Sequence, residues 1–198
     1  MRDKLGKGLM ILGAVLICAA LSLFVYNRWE DKTAGEAADA VLGQLHDVLD
    51  QESDQSANVS SPSPYDTEMR VEIIDGYGYV GYLSIPNVGL ELPVMSEWDY
   101  DRLAITPCRY SGSTKSDDLV IVGHNNFRHL GVLKSLNMDE LVIFTDMDKI
   151  KTVYKVVAIE ILGPTDVLDM VESEYDLTIF TCTIGGANRV TVRCNLVE

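Results

Sequence analysis

The side chains best suited to nucleophilic and proton-transfer chemistry are few. The chain of 198 residues has four cysteines and three histidines. Cys182 closes the run Leu177-Thr178-Ile179-Phe180-Thr181-Cys182, and a short turn containing Gly185 and Gly186 leads to Arg189. A turn of about six residues lets its flanking strands pair as neighbours. Arg189 is therefore placed to face Cys182, and Arg193, on the same face of the strand by the period of two, is the next candidate. His124 closes a second apolar run, Leu119-Val120-Ile121-Val122-Gly123-His124, and Asn125 and Asn126 follow. A titratable ring at the end of a strand is held by a rigid element. His46 lies far upstream, and His129 sits beside Arg128. Thiolate catalysis needs a proton donor or base and a donor for the developing oxyanion. Cys182, His124 and Arg189 supply these three roles. Taken singly, each has a plainer reading: a buried apolar thiol, a surface histidine, a solvated cation.

The elements that must position these groups are strands. Residues 79–85, 90–94, 119–123, 141–145, 152–161, 177–182 and 189–196 are short Val/Ile/Leu/Tyr-rich runs broken by Gly, Pro, Asn and Asp. Helical patterning is confined to 97–104 and 129–136 in this part of the chain. The expected fold is mainly β, an antiparallel or mixed barrel or sandwich with a few short helices.

Upstream, residues 8–26 form an uncharged apolar run. As a helix it spans about 28 Å, close to the hydrocarbon thickness of a bilayer. Arg2, Lys4 and Lys7 precede it, and Tyr26 and Trp29 stand where interfacial aromatics belong. The pattern predicts a single-pass anchor with a cytoplasmic N-terminus and an external domain. A cleaved signal peptide fits less well, because the apolar run continues past Ala19-Ala20-Leu21-Ser22. The chain divides into a tail (1–7), the anchor (8–26), an acidic stalk (27–69) and a folded domain (70–198). Residues 33–69 hold eight acids and no Lys or Arg. Within them Val41, Leu42, Leu45, Val48 and Leu49 repeat at helical spacing over 36–50. That helix either belongs to a stalk or docks on the domain. Residues 51–64 read as a Ser/Pro linker. The formal net charge of -14 argues against nucleic acid as a partner, since phosphate binding needs a basic stripe.

Four segments together resemble the sortases, membrane-anchored cysteine transpeptidases of Gram-positive bacteria. Residues 82–94 (Tyr-Leu-Ser-Ile-Pro-Asn-Val-Gly-Leu-Glu-Leu-Pro-Val) are similar to the family's early strand pair. Gly123-His124-Asn125 resembles its histidine motif. Thr178-Ile179-Phe180-Thr181-Cys182 resembles its Thr-Leu-x-Thr-Cys motif, with Ile for Leu, and Asn188-Arg189-Val190-Thr191-Val192 resembles the strand bearing its arginine. The resemblance implies an eight-stranded barrel with His124, Cys182 and Arg189 as catalytic residues and no required metal. It further implies cleavage of a C-terminal Leu-Pro-x-Thr-Gly-like sorting signal between Thr and Gly through a thioacyl enzyme. The acyl acceptor would be an amine of a peptidoglycan precursor or a pilin lysine, and the substrates would be surface proteins or pilins bearing the signal.

Some members of that family bind calcium through acidic loops. Asp117, Asp118, Asp146, Asp148, Glu172 and Glu174 are the acids available for such a site, though loop acids ordinarily serve as solvated surface. No Asp-Pro-aromatic lid motif precedes the barrel, and Trp98-Asp99 does not match one, so the class within the family stays open. Cys18 falls in the anchor. Cys108 and Cys194 are expected to be buried thiols, with a mutual disulfide as the alternative. Two other functions fit the residues alone: a cell-wall cysteine endopeptidase, and a non-catalytic surface-binding barrel.

Overall fold

The computed structural model describes residues 2–55 and 67–197. The Ser/Pro linker expected over 51–64 lies for the most part outside the described residues. Two compact units are present, Met1–Thr33 and Ala34–Glu198. The first is the apolar part of helix α1 (Arg2–Gln55), a helix long and apolar enough to cross a membrane. Leu9, Ile11, Leu16, Leu21 and Phe24 are all exposed.

Among the described residues, the second unit is built on nine strands. In chain order they are β1 (Glu72–Ile74), β2 (Tyr77–Ile85), β3 (Leu90–Met95), β4 (Cys108–Ser111), β5 (Leu119–Gly123), β6 (Leu141–Asp146), β7 (Lys151–Leu162), β8 (Leu177–Cys182) and β9 (Arg189–Leu196). Helix α2 (Tyr100–Ile105) lies between β3 and β4, a 3-10 helix (Leu130–Ser135) follows β5, and α3 (Val167–Val171) lies between β7 and β8. The order around the sheet is β2-β3-β4-β5-β8-β9-β7-β6, and β6 pairs back onto β2 to close an eight-stranded barrel. β1 is a short addition to β2. Closure requires β2 to run between β3 and β6. At Gly81, where the β2–β3 register shifts, φ is 146° and a Cβ would lie 2.1 Å from the Thr145 carbonyl oxygen. Only glycine fits there.

The barrel interior is filled from every side by Leu83, Ile85, Val94, Ile121, Phe144, Tyr154, Ile179 and Val192. Alternate residues of the same strands form a second apolar cluster outside the barrel, with Val120, Val122 and Phe180 packed together with Leu103 of α2 and Met170 of α3. Both faces of β5 and β8 are thus covered, which is why their sequences are apolar throughout rather than alternating.

Residues 34–55 of α1 pack within this second unit. Ala34, Ala38, Val41, Leu45 and Leu49 form one buried stripe at helical spacing. Gln44 Nε2 donates to Asp75 Oδ2 at 3.1 Å, and the His46 ring meets Tyr82 edge-on at 5.0 Å. Of the two sequence readings for this helix, docking describes it, and the compact unit begins at Ala34 rather than near residue 70.

Candidate active site

β5, β8 and β9 lie side by side, and their ends are level. β5 and β8 are parallel, with Gly123 opposite Thr181. β8 and β9 are antiparallel, with Cys182 opposite Arg189. His124 and Cys182 each lie one residue beyond the Gly123–Thr181 pair. The three residues singled out in the sequence therefore stand in a row across three neighbouring strands, all half-buried. All three line one cavity of about 200 Å³.

Several contacts hold this row in place. Thr181, which points away from Cys182 along the strand, donates from Oγ1 to the Gly123 carbonyl at 2.7 Å and joins β8 to β5 just behind His124. Asn125 Nδ2 donates to the Thr183 carbonyl at 3.2 Å, bridging the loops that follow His124 and Cys182. The β8–β9 turn is pinned by Thr183 N to the Asn188 carbonyl at 2.9 Å and Asn188 N to Thr183 Oγ1 at 3.0 Å. Arg189 Nη1 bonds only backbone carbonyls, those of Gly186 and Asn188, each at 3.1 Å. Among the described residues no carboxylate pairs with Arg189, so its charge remains available to an anion.

Arg193, the alternative arginine, is differently placed. It is 2% exposed, with Nε bonded to Glu160 Oε1 at 2.7 Å and Nη1 to Thr178 Oγ1 at 2.9 Å. Its guanidinium lies over the Tyr175 ring, 5.4 Å from the centroid. It is committed to structure. The other two histidines do not line the cavity. His46 sits 3.4 Å from Glu91 on the docked helix, and His129 is fully buried.

The remaining walls come from residues with no strong sequence signal. Trp98 stacks on Tyr110 at 5.3 Å and 27°, and Tyr110 meets Phe180 edge-on at 5.3 Å. Leu103 of α2 and Val167 and Met170 of α3 complete an apolar lining beside the thiol. Period-two patterning fails to mark β4, which carries Tyr110, because it is four residues long and bulged between Arg109 and Ser111.

Cys108 and Cys194 are free and buried. Burial pushes both thiols up to about 12, so neither forms a thiolate near neutral pH. Of the acids considered for a cation, Asp118 and Asp146 accept from backbone amides. Asp118 Oδ1 accepts from Ser113 N at 2.9 Å, and Asp146 Oδ1 accepts from Asp148 N and Ile150 N at 2.9 and 2.8 Å. Burial holds the Asp146 carboxyl above the usual carboxylate range. Among the described residues no three His, Cys, Asp or Glu side chains converge on a cation position.

These features define a closed β-barrel whose thiol-centred cleft lies on its outer face at the ends of three strands. A sortase domain family model matches residues 83–197, more than half of the chain, and the chain belongs to the sortase family. That family is one of cysteine transpeptidases. Solved structures of the same fold include sortase C1 from Streptococcus agalactiae, at 22% identity over 79% of this chain and 90% of that one with a TM-score of 0.57. A Sortase D5 transpeptidase from Clostridium perfringens aligns at 20% identity over 64% of this chain and 83% of that one, with a TM-score of 0.54. Sortase C from Clostridium perfringens, solved with the C-terminal cell wall sorting motif, aligns at 18% identity over 81% and 89% with a TM-score of 0.55. No curated protein matches the chain.

Proposed function

We propose that the protein cleaves a Leu-Pro-x-Thr-Gly-like sorting signal between Thr and Gly and transfers the acyl product to an amine. The observation that carries this reading is the row His124–Cys182–Arg189 on one cavity. In the first half-reaction the Cys182 thiolate attacks the Thr carbonyl carbon. The resulting oxyanion is held by the Arg189 guanidinium, a fixed cationic fork with no carboxylate partner among the described residues. His124 gives a proton to the departing Gly amine, and the thioester remains on Cys182. In the second half-reaction an amine, from a peptidoglycan precursor or a pilin lysine, attacks the thioester, loses its proton to His124 and expels the thiolate. The apolar wall of Trp98, Leu103 and Met170 receives the apolar residues of the signal. Water attacking the same thioester would release the free acid instead of the amine adduct. No metal enters this sequence of steps.

The N-terminal helix serves as the anchor. Arg2, Lys4 and Lys7 keep its start in the cytoplasm and place the barrel outside, where substrates tethered to the membrane arrive.

The test is incubation of the protein with a Leu-Pro-x-Thr-Gly peptide and a primary amine. Wild type forms the amine adduct in excess over free acid, and Cys182→Ala forms neither. Free acid alone would mark a cell-wall endopeptidase, and equal turnover by Cys182→Ala would remove Cys182 from the mechanism.

A further inference from the structure

His124 stands at the start of a tight loop. Leu130 N donates to the His124 carbonyl at 3.0 Å, and His129 N and Gly131 N donate to the Asn126 carbonyl at 3.2 and 2.9 Å. On one side Asn125 ties this loop to the β8–β9 turn. On the other it meets the docked part of α1. The Arg128 guanidinium forms an ion pair with Asp39, and Arg128 runs so close to the helix that a Cβ on Gly35 would lie 2.3 Å from its Nε. Ala38, between these two helix positions, is fully buried in the same cluster as Leu130 and Leu133. One helix turn thus grips the loop through a charge, a close approach and an apolar contact. Gly35, Ala38, Asp39 and Arg128 do not line the cavity.

We propose that residues 34–55 of α1 act as a latch that positions His124, with Gly35, Asp39 and Arg128 as positioning residues. The inference rests on His124 being the proton donor described above. The Asp39 and Arg128 side chains are 59% and 45% exposed, so their pairing adds little to global stability. A loop opens locally at far lower cost than a whole domain, so the same contact weighs heavily there. Gly35 supplies a discriminating substitution. Alanine favours the helix over glycine, yet its Cβ must displace Arg128.

The experiment uses the full chain in detergent micelles, with two readouts. Hydrogen exchange at the His129, Leu130 and Gly131 amides is followed in wild type, Asp39→Asn, Gly35→Ala and the charge-exchanged pair Asp39→Arg with Arg128→Asp. Steady-state transpeptidation is measured on the same proteins. Asp39→Asn and Gly35→Ala are expected to speed exchange at these amides about 5-fold, the range set by one exposed ion pair. kcat is expected to fall by a similar factor with KM unchanged, and the charge-exchanged pair recovers both. Unchanged exchange overturns the latch. So does a loosened loop with full kcat, or a lost kcat that the exchanged pair does not recover. If wild type gives no thioacyl product at all, the functional reading fails, and the exchange readout still decides whether the helix holds the loop.

Discussion

Two residue pairs sit four positions apart on the same face of the β8–β9 ladder, and they have opposite fates. Thr178 faces Arg193, and Cys182 faces Arg189. At the inner pair, α3 and the strand before it close over the arginine. Arg193 gives its donors to Glu160, Thr178 and the Met170 carbonyl. At the outer pair the ladder ends at a turn with two glycines at positive φ, Gly185 and Gly186. Among the described residues, Arg189 there meets only backbone carbonyls and the cavity. The same residue type on the same strand face is structural when its donors are used up and available for chemistry when they are not.

The strongest way to break this comparison acts on the outer pair. Replacing Cys182 by alanine is expected to lower transpeptidation by at least about 10³-fold, since no other thiol can substitute. Cys108 and Cys194 are held up at about 12 inside the two apolar clusters. Thiol alkylation of the folded protein followed by peptide mapping should label Cys182 ahead of both, and equal labelling would remove the distinction. Arg189→Ala is expected to cost about 10²- to 10³-fold in kcat/KM with little change in the unfolding midpoint, as for loss of one oxyanion donor. Arg189→Lys should recover part of that loss, because a point charge replaces a fork.

Arg193→Met reverses the pattern. It is expected to cost about 3 kcal/mol of stability by urea titration, the low end for a broken buried pair because Glu160 is 41% exposed. Activity per folded molecule should change by only a few-fold. A variant with wild-type stability and no activity would show that Arg193, not Arg189, serves the reaction.

The effect with the least bearing on activity near neutral pH is the pH dependence of stability. The Cys108 and Cys194 thiols have folded values near 12 against an ordinary value of 9.0. Burial likewise takes Tyr79 from 10.0 to about 12. Raised values favour the protonated, folded form. Their contribution is full below about pH 9 and is lost as the pH rises towards 12. Thermal midpoints should therefore fall across that interval, and Cys194→Ala should flatten the fall. An unchanged slope would mean that Cys194 is not the group responsible.

Much of this architecture was legible because strands buried on both faces leave long apolar runs. β8 and β9 fall at 177–182 and 189–196 in sequence and structure alike, and the six-residue turn alone was enough to pair Cys182 with Arg189. β1 and β4 were not legible, being three and four residues long with too few alternations to register. The 129–136 segment folds as a 3-10 helix over Leu130–Ser135, packed so closely that a Cβ on Gly131 would lie 2.4 Å from the Asn125 carbonyl oxygen. The stripe from Val41 to Leu49 declared a face that needed cover, but a periodic pattern does not say what covers it. The Trp98–Tyr110–Phe180 wall was hidden for a related reason, since its members come from a loop and two separate strands.

The central claim, that Cys182 carries the acyl group, is tested most directly by intact-protein mass spectrometry after brief incubation with a Leu-Pro-x-Thr-Gly peptide and no amine. The expected result is a mass increase equal to the peptide up to and including Thr less one water, mapped to the tryptic fragment 156–189. Release of that adduct on adding an amine is also expected. Turnover of the peptide with no adduct on Cys182, or an adduct on Cys108 or Cys194, would contradict the claim.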